Sequence, residues 1–201
     1  MIIKNSTDRN SDKYWRFIGY GLVSLTLFAL LYLILTILIP IATPAPPNSI
    51  FCDAEVTQGE LFITGKNTFE NGNTQTGERA YKGQFSSKVD TINQIGFKYK
   101  LRSPKPGERY SVSVWRYKMN IEGGYLIATS PNKSNFYKEV TIGNSSEEGW
   151  EKLELIFNIP PDLKGNYIHI YVSAKKSKQP VYFDNLLITK IVSPKIINAY
   201  N

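Results

Sequence analysis

Residues 95–117 read IGFKYKLRSPKPGERYSVSVWRY, and they decide the fold class. Ile95, Phe97, Tyr99 and Leu101 alternate with Gly96, Lys98, Lys100 and Arg102. After the breaker SPKPG at 103–107, Tyr110, Val112 and Val114 alternate with Ser111, Ser113 and Trp115. A period of two puts one set of side chains on one face of an extended chain, so each stretch predicts a half-buried strand. Proline and glycine between them fix a turn that neither strand can continue through.

The same pattern recurs outward. Leu153, Leu155, Phe157 and Ile159 alternate with Lys152, Glu154, Ile156 and Asn158, and Ile168, Ile170, Val172 and Ala174 with Tyr167, His169, Tyr171 and Ser173. Turn signals stand at EGG 122–124, SPN 130–132, EG 148–149 and PPD 160–162. No helical stretch is expected beyond residue 60. About nine short strands predict an all-β fold, a two-sheet β-sandwich of the jelly-roll kind.

The N-terminal region is different. From Phe17 to Cys52 there is no charged residue, and 17–42 is dense in Leu, Ile and Phe. At about 1.5 Å per residue, 17–42 would reach ~39 Å as a helix, enough to cross a hydrocarbon core of ~30 Å. Lys4, Arg9, Lys13 and Arg16 precede it and the next basic residue is Lys66, so the positive-inside rule puts the N-terminus in the cytoplasm. A cleaved signal peptide would need a shorter apolar run and an unblocked small-residue site, and Pro44 and Pro46 spoil the candidates. The expected organisation is a cytoplasmic tail at 1–16, a transmembrane helix at 17–42, a Pro-rich linker at 43–59, the sandwich at 60–193 and a tail at 194–201. This makes the chain a single-pass membrane protein, partnered by the lipid bilayer, with its sandwich outside the cytoplasm.

Charge and side-chain inventory exclude several functions. The net charge is +7; residues 1–16 hold four basic and two acidic residues, leaving 20 basic and 15 acidic downstream. Those 20 form no run of five, so no nucleic-acid partner is expected. One cysteine, Cys52, and one histidine, His169, leave no internal disulfide, no His-dependent triad and no zinc site, and the chain is not expected to be an enzyme.

Five pieces in order resemble the carbohydrate-binding modules of the xylanase and cellulase type, with their galactose-binding-like jelly roll. They are NTFE at 67–70, GQFSSKV at 83–89, PGERYSVSVWR at 106–116, GWEKL at 149–153 and YFDNL at 182–186. The likeness runs from Asn67 to Ile191. One departure is the missing tryptophan soon after the Phe-Glu pair. The resemblance implies non-catalytic binding of a poly- or oligosaccharide, and it implies that Glu70 and Asp184 meet to hold a structural Ca²⁺. It further implies that the strands of Trp115 and Tyr117 and of Tyr167, His169 and Tyr171 are neighbours in one concave sheet, where five rings would stack on sugar faces. An envelope adaptor binding another protein is the alternative that the same fold allows. Trp150 is expected to be structural.

Overall fold

The computed structural model describes residues 27–30, 48–117, 123–133, 135–175 and 177–192. The chain divides into Met1–Pro44 and Ala45–Asn201. In the first unit residues 27–30 are helical, with Leu27, Phe28 and Leu30 exposed. The rest of the expected span at 17–42, and the tails at 1–16 and 194–201, lie outside the described residues. Among the described residues no helix is long and apolar enough to cross a membrane.

The second unit is a sandwich of two seven-stranded sheets. The first, here the β8 sheet, runs β11 (Ser145–Glu147), β12 (Trp150–Asn158), β8 (Arg109–Tyr117), β14 (Val181–Ile191), β6 (Ser86–Val89) and β5 (Gln75–Thr76), with β1 (Ser49–Cys52) also paired to β14. The second, the β13 sheet, runs β10 (Tyr137–Val140), β9 (Tyr125–Thr129), β13 (Tyr167–Ser173), β7 (Ile95–Arg102), β4 (Asn67–Glu70), β3 (Leu61–Thr64) and β2 (Thr57–Gln58). Neighbouring strands are antiparallel throughout.

The alternating residues meet between the sheets. Val112, Val114, Leu153, Leu155, Phe157, Phe183, Leu186 and Ile188 face Phe62, Phe69, Phe97, Leu126, Ile168, Ile170 and Val172 in one buried cluster. Truncating such a residue to alanine costs about 2–5 kcal/mol, from lost transfer energy plus the cavity left behind.

The sandwich begins earlier than the sequence suggests. Ser49–Cys52 pairs with Thr189–Leu186, so the expected linker at 43–59 ends in a strand. Proline blocks a ladder hydrogen bond, and the last of them here is Pro47, leaving Ser49 onward free to pair. Cys52 is therefore a core residue, and burial pushes its thiol up to about 12. A thiol in that position is neither a nucleophile nor accessible to a partner.

Candidate functional site

The five aromatic residues singled out by sequence do not come together. Trp115 and Tyr117 lie on β8 and Tyr167, His169 and Tyr171 on β13, in different sheets. Their alternation puts both sets on outer faces, so the core separates them. A period of two states which side of a strand a residue occupies and is silent about which sheet the strand joins.

On the β8 face the rings are covered by the chain itself. Tyr81, in the connection between β5 and β6, stacks on Trp115 with centroids 4.2 Å apart and an interplanar angle of 18°. The Arg79 guanidinium lies 4.4 Å over Tyr117, which meets Trp150 edge-on at 5.4 Å. Tyr182 donates to Glu78 at 2.5 Å, and Tyr81 donates to Glu147 at 2.6 Å.

A buried carboxyl holds this connection down. Asp184 is 0 % exposed, and its Oδ2 accepts the backbone N–H groups of Tyr81 at 2.8 Å and Lys82 at 3.2 Å. Asn185 N–H donates to Oδ1 at 2.7 Å. Asn185 has φ of 53° at a break in the β14–β8 register between Asp184 and Leu187, and asparagine tolerates that left-handed bulge. Glu55 adds a second tie, accepting from Gln84 at 2.9 Å and Phe85 at 3.0 Å. Gly83 between the ties has φ of 75°, and any Cβ there would collide with the Glu55 carboxylate. Burial pushes the Asp184 carboxyl up to about 7 against the lowering effect of its three N–H donors, and the charge of Glu55 adds to the rise.

The carboxylate pair expected to hold calcium is not assembled. Glu70 is on β4 of the opposite sheet, exposed, with Lys98 Nζ at 2.6 Å. Asp184 is surrounded by N–H donors, whereas Ca²⁺ needs six to eight oxygen ligands. Glu70 and Asp184 do not fit one ion. Among the described residues no cluster of three His, Cys, Asp or Glu could hold a metal.

The β13 sheet carries the second set on its outer face. Tyr167, His169 and Tyr171 are half-buried in a row, with the rings of Tyr167 and His169 4.8 Å apart at 50°. Cross-strand register puts Arg102, Lys100 and Lys98 of β7 opposite these three in turn. On the other side Thr129 and Ile127 of β9 face His169 and Tyr171, and Tyr137 and Glu139 of β10 follow. Ile127 and Thr129 are only 2 % and 6 % exposed although they alternate with the core residues Leu126 and Ala128, so the β9 side of this face is covered by its neighbours. Lys100 Nζ sits 3.9 Å over the Tyr167 ring, and Tyr137 donates its hydroxyl to Glu139. Burial, then Lys98, holds His169 below its usual value, Glu70 pulling upward and Lys100 downward. Burial and Glu139 raise the Tyr171 hydroxyl.

Sequence reasoning missed Tyr81, Glu55, Tyr137 and the cations of β7. Tyr81 and Phe85 are the two aromatics of a largely polar connection, a signal without a period to interpret it. Lys98, Lys100 and Arg102 were visible as the outward set of β7, but their partner strand was not.

Comparison with solved structures gives the fold. The C-terminal family 22 carbohydrate binding module of Clostridium thermocellum Xyn10B matches 77 % of this chain and 100 % of its own, with TM-score 0.50 and 17 % identity. The CBM22-1 xylan-binding domain from Paenibacillus barcinonensis Xyn10C matches 72 % of this chain and 94 % of its own, with TM-score 0.46 and 15 % identity. By sequence, no family model matches the chain and no curated protein matches it. The fold is thus the two-sheet jelly roll of carbohydrate-binding modules.

Proposed function

We propose that the sandwich is a non-catalytic glycan-binding module, and that its ligand lies across the outer face of the β13 sheet. The observation that carries this is the row Tyr167, His169 and Tyr171. These rings are partly exposed, with the apolar Ile127 and hydrogen-bonding side chains beside them, which is what the C–H faces and hydroxyl edges of a sugar require. The β8 face supports the choice by contrast, because Tyr81 already occupies the stacking surface of Trp115. Binding without chemistry is supported by the two carboxylates bordering that face. Glu70 is ion-paired with Lys98 and Glu139 accepts from the Tyr137 hydroxyl, and they stand on β4 and β10 with three strands between them rather than as a facing acid and base.

The proposal includes anchoring. The uncharged run at 17–42, with its basic N-terminal flank, supports a membrane-held module displayed outside the cytoplasm that keeps polysaccharide near the envelope. Xylan is the first ligand to test, given what structures of this fold bind. In isothermal titration, Tyr171→Ala should weaken binding by about 1–3 kcal/mol, the scale of a lost aromatic contact. Absence of binding to every polysaccharide of a broad panel would end this reading.

A further inference from the structure

We infer that the glycan on the β13 face is anionic, a polysaccharide with a carboxylate or sulfate on its rings, and that the anionic group sits at the Arg102–Lys100 end. This rests on the reading of that face as the glycan site, and it names the ligand class. The register divides the face into three rungs. The first pairs Tyr167 with Arg102. The second carries Lys100, His169, Thr129 and Tyr137. The third carries Glu70, Lys98, Tyr171, Ile127 and Glu139. Residues directly opposed across neighbouring strands point to the same side, so each rung is a line of adjacent side chains.

Charge is distributed unevenly over these rungs. Acid flanks the third rung at both ends, and its lysine is neutralised by Glu70 at 2.6 Å. The first two rungs contain no carboxylate. Among the described residues neither Lys100 nor Arg102 has an acidic partner; the Lys100 ammonium rests on the Tyr167 ring at 3.9 Å, and Lys133 lies 5.0 Å over the Tyr137 ring. Lys98, Lys100 and Arg102 recur about every 6.6 Å along one face, a spacing at which like charges repel. They surround an imidazole that burial, Lys98 and Lys100 all keep neutral.

A ligand anion at this end would relieve that repulsion. The planar guanidinium of Arg102 matches a carboxylate or sulfate with two parallel N–H donors, and the Lys100 ammonium supplies a point charge that would leave the Tyr167 ring for the anion as the sugar stacks. A neutral chain would gain the stacking and give neither cation a partner.

The test uses the full-length chain in mild detergent and titrates matched polymers: glucuronoxylan and its carboxyl-reduced form, polygalacturonate and its carboxyl-reduced form, and dextran with and without sulfation. The expected result is tighter binding of the charged member in at least one pair, weakening with salt. Lys100→Gln/Arg102→Gln should remove about tenfold of that preference, read as the ratio of the charged to the neutral member's affinity. Preference in the uronate pairs assigns a carboxylate, and preference for sulfated dextran alone assigns a sulfate. The titration of His169 by NMR gives an independent readout, since a bound anion raises its pKa and a neutral glycan does not. Equal or tighter binding of the neutral members overturns this inference while glycan binding stands, and so does a charge preference that survives the double substitution. Failure of every polymer to bind sinks the glycan reading itself.

Discussion

Replacing Trp115 by alanine separates a packed aromatic from a ligand platform. Trp115 is mostly covered, with the Tyr81 ring stacked on it at 4.2 Å. An aromatic side chain buries 150–250 Å² when fully covered; roughly three-quarters of that, at about 25 cal/mol per Å², is ~4 kcal/mol. The stacked pair adds about 0.5–1.5 kcal/mol. The substitution should thus cost about 4–5 kcal/mol, which for a chain of this size lowers the melting temperature by roughly 8–20 °C. Urea titration followed by far-UV circular dichroism measures the first quantity and a thermal scan the second. Glycan affinity of the folded variant should not change. If Trp115→Ala instead unfolds within about 0.5 kcal/mol of the parent and loses binding, the ring is a sugar platform, and the argument from Tyr81 fails.

Other substitutions test the ties that shape the molecule. Arg116 is 8 % exposed, ion-paired with Glu151 at 2.5 Å and donating to the carbonyls of Gly123, Gly124 and Thr141; Arg116→Ala should cost about 3–5 kcal/mol in urea unfolding, because it leaves the Glu151 charge unpaired in a largely buried site. Asp184→Ala strips three N–H groups of their acceptor, at about 1–3 kcal/mol each, and its melting curve should shift by the same amount with calcium or with chelator; chelation of the parent reproducing that shift would restore a metal role. Glu70→Gln should change stability by under about 1 kcal/mol, as expected for an exposed ion pair. Although burial opposes it, hydrogen bonds from Lys190, Tyr110 and the Lys105 backbone hold Glu108 at about 2, below its ordinary 4.5. Its stabilising contribution is therefore complete above pH 4.5 and lost as pH falls toward 2, so Glu108→Gln should flatten the acid limb of a stability–pH profile in that window.

What could be read from the sequence was the set of strands and the inward face of each. Val112 and Val114, Leu153 and Leu155, Ile168 and Ile170 all reach the core, because a period of two is local and cheap to recognise. Two things were not legible. Sheet membership depends on long-range pairing, and nothing near Trp115 or Tyr167 says that β8 joins β14 while β13 joins β7. The fate of an outward aromatic depends on loops, and the connection carrying Tyr81 is placed by Asp184, more than a hundred positions away. The same cause separates Glu70 from Asp184, whose strands β4 and β14 lie in opposite sheets. Strand β1 escaped notice because SIFC is too short to show a period.

The pairing of β1 with β14 alone has a mechanical meaning. Its four residues run antiparallel to β14, Ser49 against Thr189 through Cys52 against Leu186. A pull entering at Ser49 along the strand loads all of these rungs side by side, in shear, rather than opening them one after another. If the glycan grips the far sheet and the proposed anchor holds the N-terminal segment in a membrane, tension between membrane and polymer has to pass through the interlocked core, with Cys52 and Ala54 seated in it as the first resistance. A tether stitched in this way resists drag through the number of bonds loaded together. It should yield at much lower force when the load is turned perpendicular to the strand and peels the rungs singly, a difference that single-molecule pulling in the two geometries would expose.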